Sequence, residues 1–273
     1  MADFVGDARR ADDVARAADL IASGRTIGFF NRSVCALLGS GDTRAFPDEV
    51  IRVKGEKRRT RPVGCIVPSR FMAESADATR VPAAISALVS DAAALRARLA
   101  GVSFLRLPFR AQASARIPEH LLSRRPDGTA VLMGCDPSGY APLHDIMEAV
   151  MARGVKILAG TSMNPSGSPE ITDQQAGIDF ARSVGLPMFL GDSASQGGLR
   201  GSPSVLACDA DAVRLIRDSY VPPSVLEPLI GCPILRSDDT REPRQDYLAF
   251  DGAAGGEPGA LCNRILAELD RLT

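Results

Sequence analysis

The chain has 273 residues, 45% hydrophobic and 24% charged, and its 32 Lys and Arg against 33 Asp and Glu leave a net charge of −1. This is the composition of a globular protein with room for one large or two small domains, and it excludes a global basic field built for nucleic acid, though not a local basic patch. No window approaches the roughly 18 to 20 apolar residues of a membrane span. Residues 1–16 are charged and Ala-rich and lack the apolar stretch of a signal peptide, so neither membrane insertion nor export is expected. The six cysteines (Cys35, Cys65, Cys135, Cys208, Cys232 and Cys262) are far apart, with no Cys-x-x-Cys pair. They read as reduced, mostly buried thiols of a cytoplasmic protein, not as a disulfide frame or a zinc site.

Taken in order, Asp12 to Ser23 reads as a helix, with Val14, Ala17, Ala18 and Ile21 at helical spacing and Gly24 as a stop. Thr26 to Phe30 is a short strand, followed by a polar-to-apolar loop over Asn31 to Gly39. Gly39 to Thr43 is a turn: it lacks the Lys of a phosphate-binding P-loop and the spacing of a dinucleotide fingerprint. Val50 to Arg61 is the most basic stretch, with Arg52, Lys54, Lys57, Arg58, Arg59 and Arg61. Such a run is either solvated surface or a polyanion site. It leads into a buried strand at Pro62 to Pro68. Val81 to Leu99 reads as one amphipathic helix with Ile85, Leu88, Val89, Ala92, Leu95 and Leu99 on its stripe. Val102 to Arg110 and Thr129 to Gly134 are strand-like, and a helix near His144 runs through Arg153. His120 sits in a loop, and with two histidines neither a Ser-His-Asp triad nor a metal cluster is evident.

The apolar run Val155 to Ala159 reads as a strand feeding the loop Gly160 to Pro169, which packs hydroxyls, an amide, Gly and Pro into ten positions. A loop this rich in donors at a strand end can hold a phosphate or carboxylate. Helix Asp173 to Val184, strand Met188 to Asp192, the Gly197-Gly198 turn, Ser202 to Ala207, Ala212 to Ser219 and a short helix at Ser224 to Leu229 follow. Ser237 to Gln245 is charged and linker-like, Gly252 to Gly259 is Gly-rich, and Asn263 to Leu272 is a closing helix.

Ser162-Met163-Asn164, then Ser166-Gly167 and Pro169, resembles the Ser-x-Asn-x-Ser-Gly-x-Pro signature of the YrdC-like family, the threonylcarbamoyl-AMP synthases. Companions stand in the family's order. The Gly197-Gly198 to Ser204-Val205 step is similar to its Gly-Gly-x-x-Ser-Thr-Val-Val, with about two extra residues. Arg214-Leu215-Ile216-Arg217 resembles Arg-Ile-Leu-Arg, which places Arg217 on an Arg that approaches the nucleotide phosphates. Arg61-Pro62-Val63 resembles Lys-Pro-Leu. The family's Lys-x-Arg can be laid on Lys57-Arg58-Arg59, or on Lys54-Gly55 with one inserted residue. Two places depart. The loop written Pro-Thr-Asp/Glu-Thr-Val-Tyr-Gly-Leu in the family is Phe30-Asn31-Arg32-Ser33-Val34-Cys35-Ala36-Leu37 here, and the Arg of Val-Arg-Val-Pro is replaced by Leu132 or Met133.

The resemblance covers residues 12–230, with 231–273 as a C-terminal extension. It implies an α/β fold: a YrdC-like twisted mixed sheet with surrounding helices and a concave nucleotide-binding groove. It implies a nucleotidyltransferase that joins bicarbonate, an amino acid (threonine or another) and ATP, with Mg2+, into a carbamoyl-adenylate and releases pyrophosphate. The partner implied is tRNA or a tRNA-modification complex. The implied catalytic residues are Lys57, Arg59, Ser162 and Asn164. Lys54, Arg61, Thr161, Ser166, Ser204 and Arg217 would bind the nucleotide, and Asn31, Arg32 and Ser33 the substrate; no metal ligand is assigned. The rewritten loop points away from threonine, with Arg32 supplying a positive charge for a carboxylate. Rival readings are a carbamoyl-adenylate enzyme with a different acceptor, an inactive nucleotide- or RNA-binding module, and an unrelated α/β protein.

Overall fold

The structure, a computed structural model, describes residues 4–59, 62–195, 199–236 and 257–272. They form two compact units, one comprising the chain up to Ile66 together with Tyr140–Ser202, the other Val67–Gly139 with Pro203–Arg271. The first unit opens with β1 (Val5–Asp7), α1 (Ala11–Ala22), β2 (Ile27–Asn31), β3 (Val34–Ser40), α2 (Ala45–Lys54) and β4 (Gly64–Ile66). The second takes α3 (Ser69–Ser75), α4 (Ala83–Val89), α5 (Ala92–Leu99), β5 (Ser103–Pro108), α6 (Ala111–Ser114), β6 (Leu122–Arg124) and β7 (Ala130–Cys135). The chain returns to the first unit for α7 (Ala141–Met151), β8 (Leu158–Ser162), α8 (Gln174–Ser183) and β9 (Phe189–Gly191). It closes in the second with β10 (Ser204–Cys208), β11 (Val213–Arg217), α9 (Pro223–Ile230), β12 (Ile234–Arg236) and α10 (Pro258–Leu272).

In the first unit the strands lie in the order β1-β9-β2-β3-β8-β4, parallel from β1 to β2 and antiparallel thereafter. All of β3 and nearly all of β2 are buried, so these strands carry no apolar/polar alternation. Helices α1 and α7 bury Val14, Ala17, Ile21, Ile146 and Val150 in one core with Phe29, Leu38, Leu158 and Leu190. Gly39 is required there, because a Cβ would stand 2.3 Å from the Phe46 ring.

In the second unit the order is β7-β5-β10-β11-β12, with β6 on the other edge of β7. Ile85, Leu88, Leu95, Leu99, Leu226 and Leu229 bury the faces of α4, α5 and α9. The C-terminal segment joins this unit: Ile234 pairs with Val213, and α10 buries Leu261, Cys262, Ile265 and Leu269.

Three local expectations change. The stripe read as one helix over 81–99 is two helices. Asp91 turns out of the helical conformation and its carboxylate accepts from Ala93 N at 2.8 Å and Ala94 N at 3.2 Å, so it starts a second helix while the apolar spacing continues across the break. The loop expected at 31–39 is mostly strand β3, reached by a tight hairpin. Thr161 and Ser162 belong to β8, so the loop proper starts at Met163. The Gly197-Gly198 turn, the linker-like 237–245 and most of the Gly-rich 252–259 lie outside the described residues. No described helix is long and apolar enough to cross a membrane.

Removing the Asp91 carboxylate deletes the cap of α5. We expect Asp91→Ala to cost about 1 kcal/mol in urea unfolding. An unchanged midpoint and slope would show that the break does not depend on the cap.

Candidate functional site

Helix α2 stops at Lys54 because Gly55 takes φ 89°, a conformation costly for any residue with a Cβ. The stop leaves the Lys54 side chain only 7% exposed and aimed at the end of β8. Its ammonium donates to the carbonyl of Ser162, to the carbonyl of Asn164 at 2.6 Å, and to Asn164 Oδ1 at 3.1 Å; Ser162 Oγ stands at 3.4 Å. The Lys54 carbonyl in turn accepts from Ser166 N at 3.0 Å. Asn164 Nδ2 donates to the Ser168 carbonyl at 2.7 Å and to that of Pro165 at 3.2 Å, and Met163 N binds the Cys35 carbonyl at 2.7 Å. The Ser-x-Asn loop is thus held around one cation. Burial, then the neighbouring Arg58, pushes the Lys54 ammonium down to about 8, and Glu170 acts in the opposite direction.

Of the two placements of Lys-x-Arg, the structure brings Lys54 to the loop. Arg58, which the sequence reading left without a role, follows it: its guanidinium donates to Thr161 Oγ1 at 3.2 Å and to the Pro62 carbonyl at 3.0 Å. Lys57 and Arg59 are exposed on the short turn after α2, and Arg59 is paired with Glu56 at 2.8 Å. Arg61 lies outside the described residues.

Asn31, Arg32 and Ser33 form the β2–β3 hairpin. Arg32 takes φ 58°, and no other non-glycine among the described residues has a positive φ. Such a conformation costs of order 1–3 kcal/mol and persists only where the surroundings enforce it. The Arg32 guanidinium lies 4.6 Å from the centroid of the Tyr140 ring, and Arg32 is 3% exposed. Tyr140 donates its hydroxyl to Asp192 Oδ2 at 2.8 Å, and Arg9 binds the same carboxylate at 2.6 and 3.1 Å. Arg9 and Tyr140 hold the Asp192 carboxyl below its ordinary value despite burial, while burial and Asp192 raise the Tyr140 phenol. Ser33 Oγ donates to the Gly201 carbonyl at 2.6 Å, which seats the hairpin on a third segment. Arg9, Tyr140 and Asp192 were invisible as a group in sequence: they are 183 and 52 positions from one another along the bonds they make.

In the second unit, Ser204 Oγ is buried against Ser219 Oγ at 2.6 Å, and Arg217 Nε donates to the Pro203 carbonyl at 3.0 Å. Leu132 faces the core, whereas Met133 is half-buried and pairs across the sheet with Arg106. Among the described residues no group of three His, Cys, Asp or Glu could hold a metal ion. At the loop the Lys54 and Arg58 cations stand with the Ser162 and Thr161 hydroxyls, a set suited to binding phosphate or carboxylate oxygens.

No family model and no curated protein sequence matches the chain. Solved structures do. P. abyssi Sua5 matches at TM-score 0.63 and 18% identity over 85% of this chain, and its complex with L-threonine at 0.63 and 17% over 90%. The fold is YrdC-like. E. coli YciO matches at 0.56 and 13% identity, over 78% of this chain and 92% of its own. Full-length HypF in the phosphate- and nucleotide-bound form matches at 0.54 and 19% identity over 79% of this chain. The chain spans 65% or 68% of Sua5 in the two structures and 25% of HypF.

The two motif residues differ in what they hold. Asn164→Ala removes the 2.7 Å bond to Ser168 and an acceptor of the Lys54 ammonium, and should cost about 1–3 kcal/mol of stability. Ser162→Ala removes a single side-chain contact at 3.4 Å and should stay within about 0.5 kcal/mol of wild type. Equal unfolding free energies for the two variants would contradict this account of the loop.

Proposed function

We propose that this chain is an ATP-dependent carbamoyl-adenylate synthase: a nucleotidyltransferase that couples bicarbonate and an amino acid to AMP with release of pyrophosphate. The observation that supports it is the Lys54 ammonium, buried and locked to Ser162 and Asn164, in a YrdC-like fold. In this reading a carbamate oxygen attacks the α-phosphorus of ATP, and the bond to the pyrophosphate oxygen breaks. Such a transfer is governed by positioning and charge neutralisation, and a protein nucleophile is unnecessary. Lys54 and Arg58 supply positive charge to phosphate oxygens, while Asn164 orders the loop through its own amide bonds and the Ser162 hydroxyl offers a donor. Thr161 and Ser166 are further nucleotide contacts, with the exposed Lys57 and Arg59 as an outer basic rim; Ser204, buried against Ser219, is not available as one. Mg2+ would travel with the triphosphate, whose oxygens can supply most of its ligands. The carbamoyl group would then pass to an acceptor, with tRNA as the family's example.

A second reading, a different amino acid or acceptor, is favoured by the hairpin. Sua5 has been captured with L-threonine. Here the corresponding loop presents Asn31, a strained Arg32 stacked on Tyr140, and Ser33 committed to Gly201. A pocket that pairs polar groups can discriminate between analogues by as much as about 10⁴ to 10⁵, so this rewriting is enough to redirect the choice.

Pyrophosphate release from ATP and bicarbonate across a panel of amino acids tests both statements. We expect turnover with a substrate other than threonine, and a loss of about 10²–10³ in kcat/KM for Lys54→Met. Release with no amino acid in the panel would remove the proposed reaction. We further expect Arg32→Ala to lower kcat/KM for the preferred amino acid by about tenfold or more. Threonine as the best substrate, with Arg32→Ala unchanged, would restore ordinary threonine specificity.

A further inference from the structure

The sheet of the second unit carries a half-buried cation, Arg106, that no described carboxylate meets in an ion pair. Along β5, Ser103, Leu105 and Leu107 point into the core, so Phe104 and Arg106 occupy the opposite face. Arg106 pairs with Met133 on β7 and with Ala207 on β10. Its side chain reaches across β7 to β6, where its guanidinium stands 3.4 Å from Ser123 Oγ. Among the described residues Arg106 makes no ion pair. Asp209 is engaged by Arg125 at 2.7 Å and by Arg214 at 3.5 Å, and Arg214 also holds Asp211 at 3.0 Å. Among the described residues, the guanidinium groups of Arg106, Arg125 and Arg214 are thus set against the carboxylates of Asp209 and Asp211. Burial, together with the charge of Arg125, works against the Arg106 cation, and Asp209 offsets part of that. Arg106, Phe104, Met133 and Ser123 are each half-buried, so the head group is partly reachable from outside.

A guanidinium cannot shed its proton to escape this situation. It is also poor at filling space where an apolar side chain would pack, as its neighbours Met133 and Phe104 do. The Arg106 stem can lie along these apolar side chains, which leaves its partly reachable head group, without an ion pair among the described residues, as the group that could take an anion.

We propose that Arg106, assisted by Ser123, forms an oxyanion-binding site on this face, taking a planar carboxylate or a phosphate through the guanidinium fork. The apolar floor of Phe104 and Met133 suits a ligand whose anionic group is attached to an uncharged body. The source of the oxyanion is either the phosphate chain of a nucleotide or the carboxylate of a small organic acid.

Calorimetric titration of the full chain with inorganic pyrophosphate and, separately, with succinate distinguishes these sources. It needs no turnover, so its failure leaves the adenylate reading standing, and failure of that reading leaves this site standing. We expect at least one of the two anions to bind wild type, and that anion to bind Arg106→Met about tenfold or more weakly, with Arg106→Lys in between. The anion that loses affinity identifies the source. Thermal unfolding of Arg106→Met without ligand should show a midpoint equal to or above wild type. Binding of neither anion to wild type, affinity in Arg106→Met within about twofold of wild type, or a lowered midpoint or failure to fold would each overturn the proposal. The last pair would make Arg106 a structural residue.

Discussion

The first unit depends on a buried ammonium. An unpaired charge taken out of water costs several kcal/mol even after relaxation, so the Lys54 cation is tolerable only because oxygens converge on it. The carbonyls of Ser162 and Asn164 and the Asn164 amide oxygen provide them, and in doing so they fix the path of the chain after β8. The dependence runs both ways. Without Gly55 ending α2, the ammonium would not point at the loop; without the loop, the ammonium would not stay charged. Arg58 repeats the arrangement one turn later on Thr161, so a single helix-to-strand connection delivers two cations to neighbouring positions of one strand end.

The hairpin of β2 and β3 is built on the opposite principle. Here the strain lies in the backbone, and side chains enforce it. Arg32 sits at positive φ with its guanidinium on the Tyr140 ring; Tyr140 is fixed by Asp192, and Asp192 by Arg9. Such a chain of contacts pre-organises a cation before any ligand arrives, which lowers the ordering cost of binding. Together the loop at Lys54 and the hairpin at Arg32 supply cations and hydroxyls, the groups that the proposed transfer onto a phosphate would need.

Much of this was legible in the sequence, for local reasons. Helix α1, helix α8 and strand β9 announce themselves by apolar spacing, by Gly24 and by Asp173, which caps α8 by accepting from Ala176 N at 2.7 Å. The Ser162-Met163-Asn164 signature led to the YrdC-like fold. What stayed hidden was set by tertiary contacts. Strand β3 reads as a loop because Cys35, Ala36 and Gly39 are small, and because a strand buried on both faces has no alternation. The break at Asp91 hides because Leu88 and Leu95 still fall on one stripe across it. The choice between Lys54 and Lys57 turns on where α2 ends, and element boundaries are what sequence patterns specify least well. The partners Arg9, Tyr140 and Asp192 come from three separate parts of the chain, and no local rule connects them.

The claim at the centre is that Lys54 is a buried cation poised to meet a phosphate. It is tested most directly by following the Lys54 side-chain carbon and proton resonances through a pH titration, with and without ATP. The account predicts a titration near 8 in the free protein, well below the ordinary 10.5, and a shift upward when ATP supplies negative charge beside the ammonium. A midpoint near 10.5 in the free protein, or a midpoint that ATP leaves in place, would contradict it.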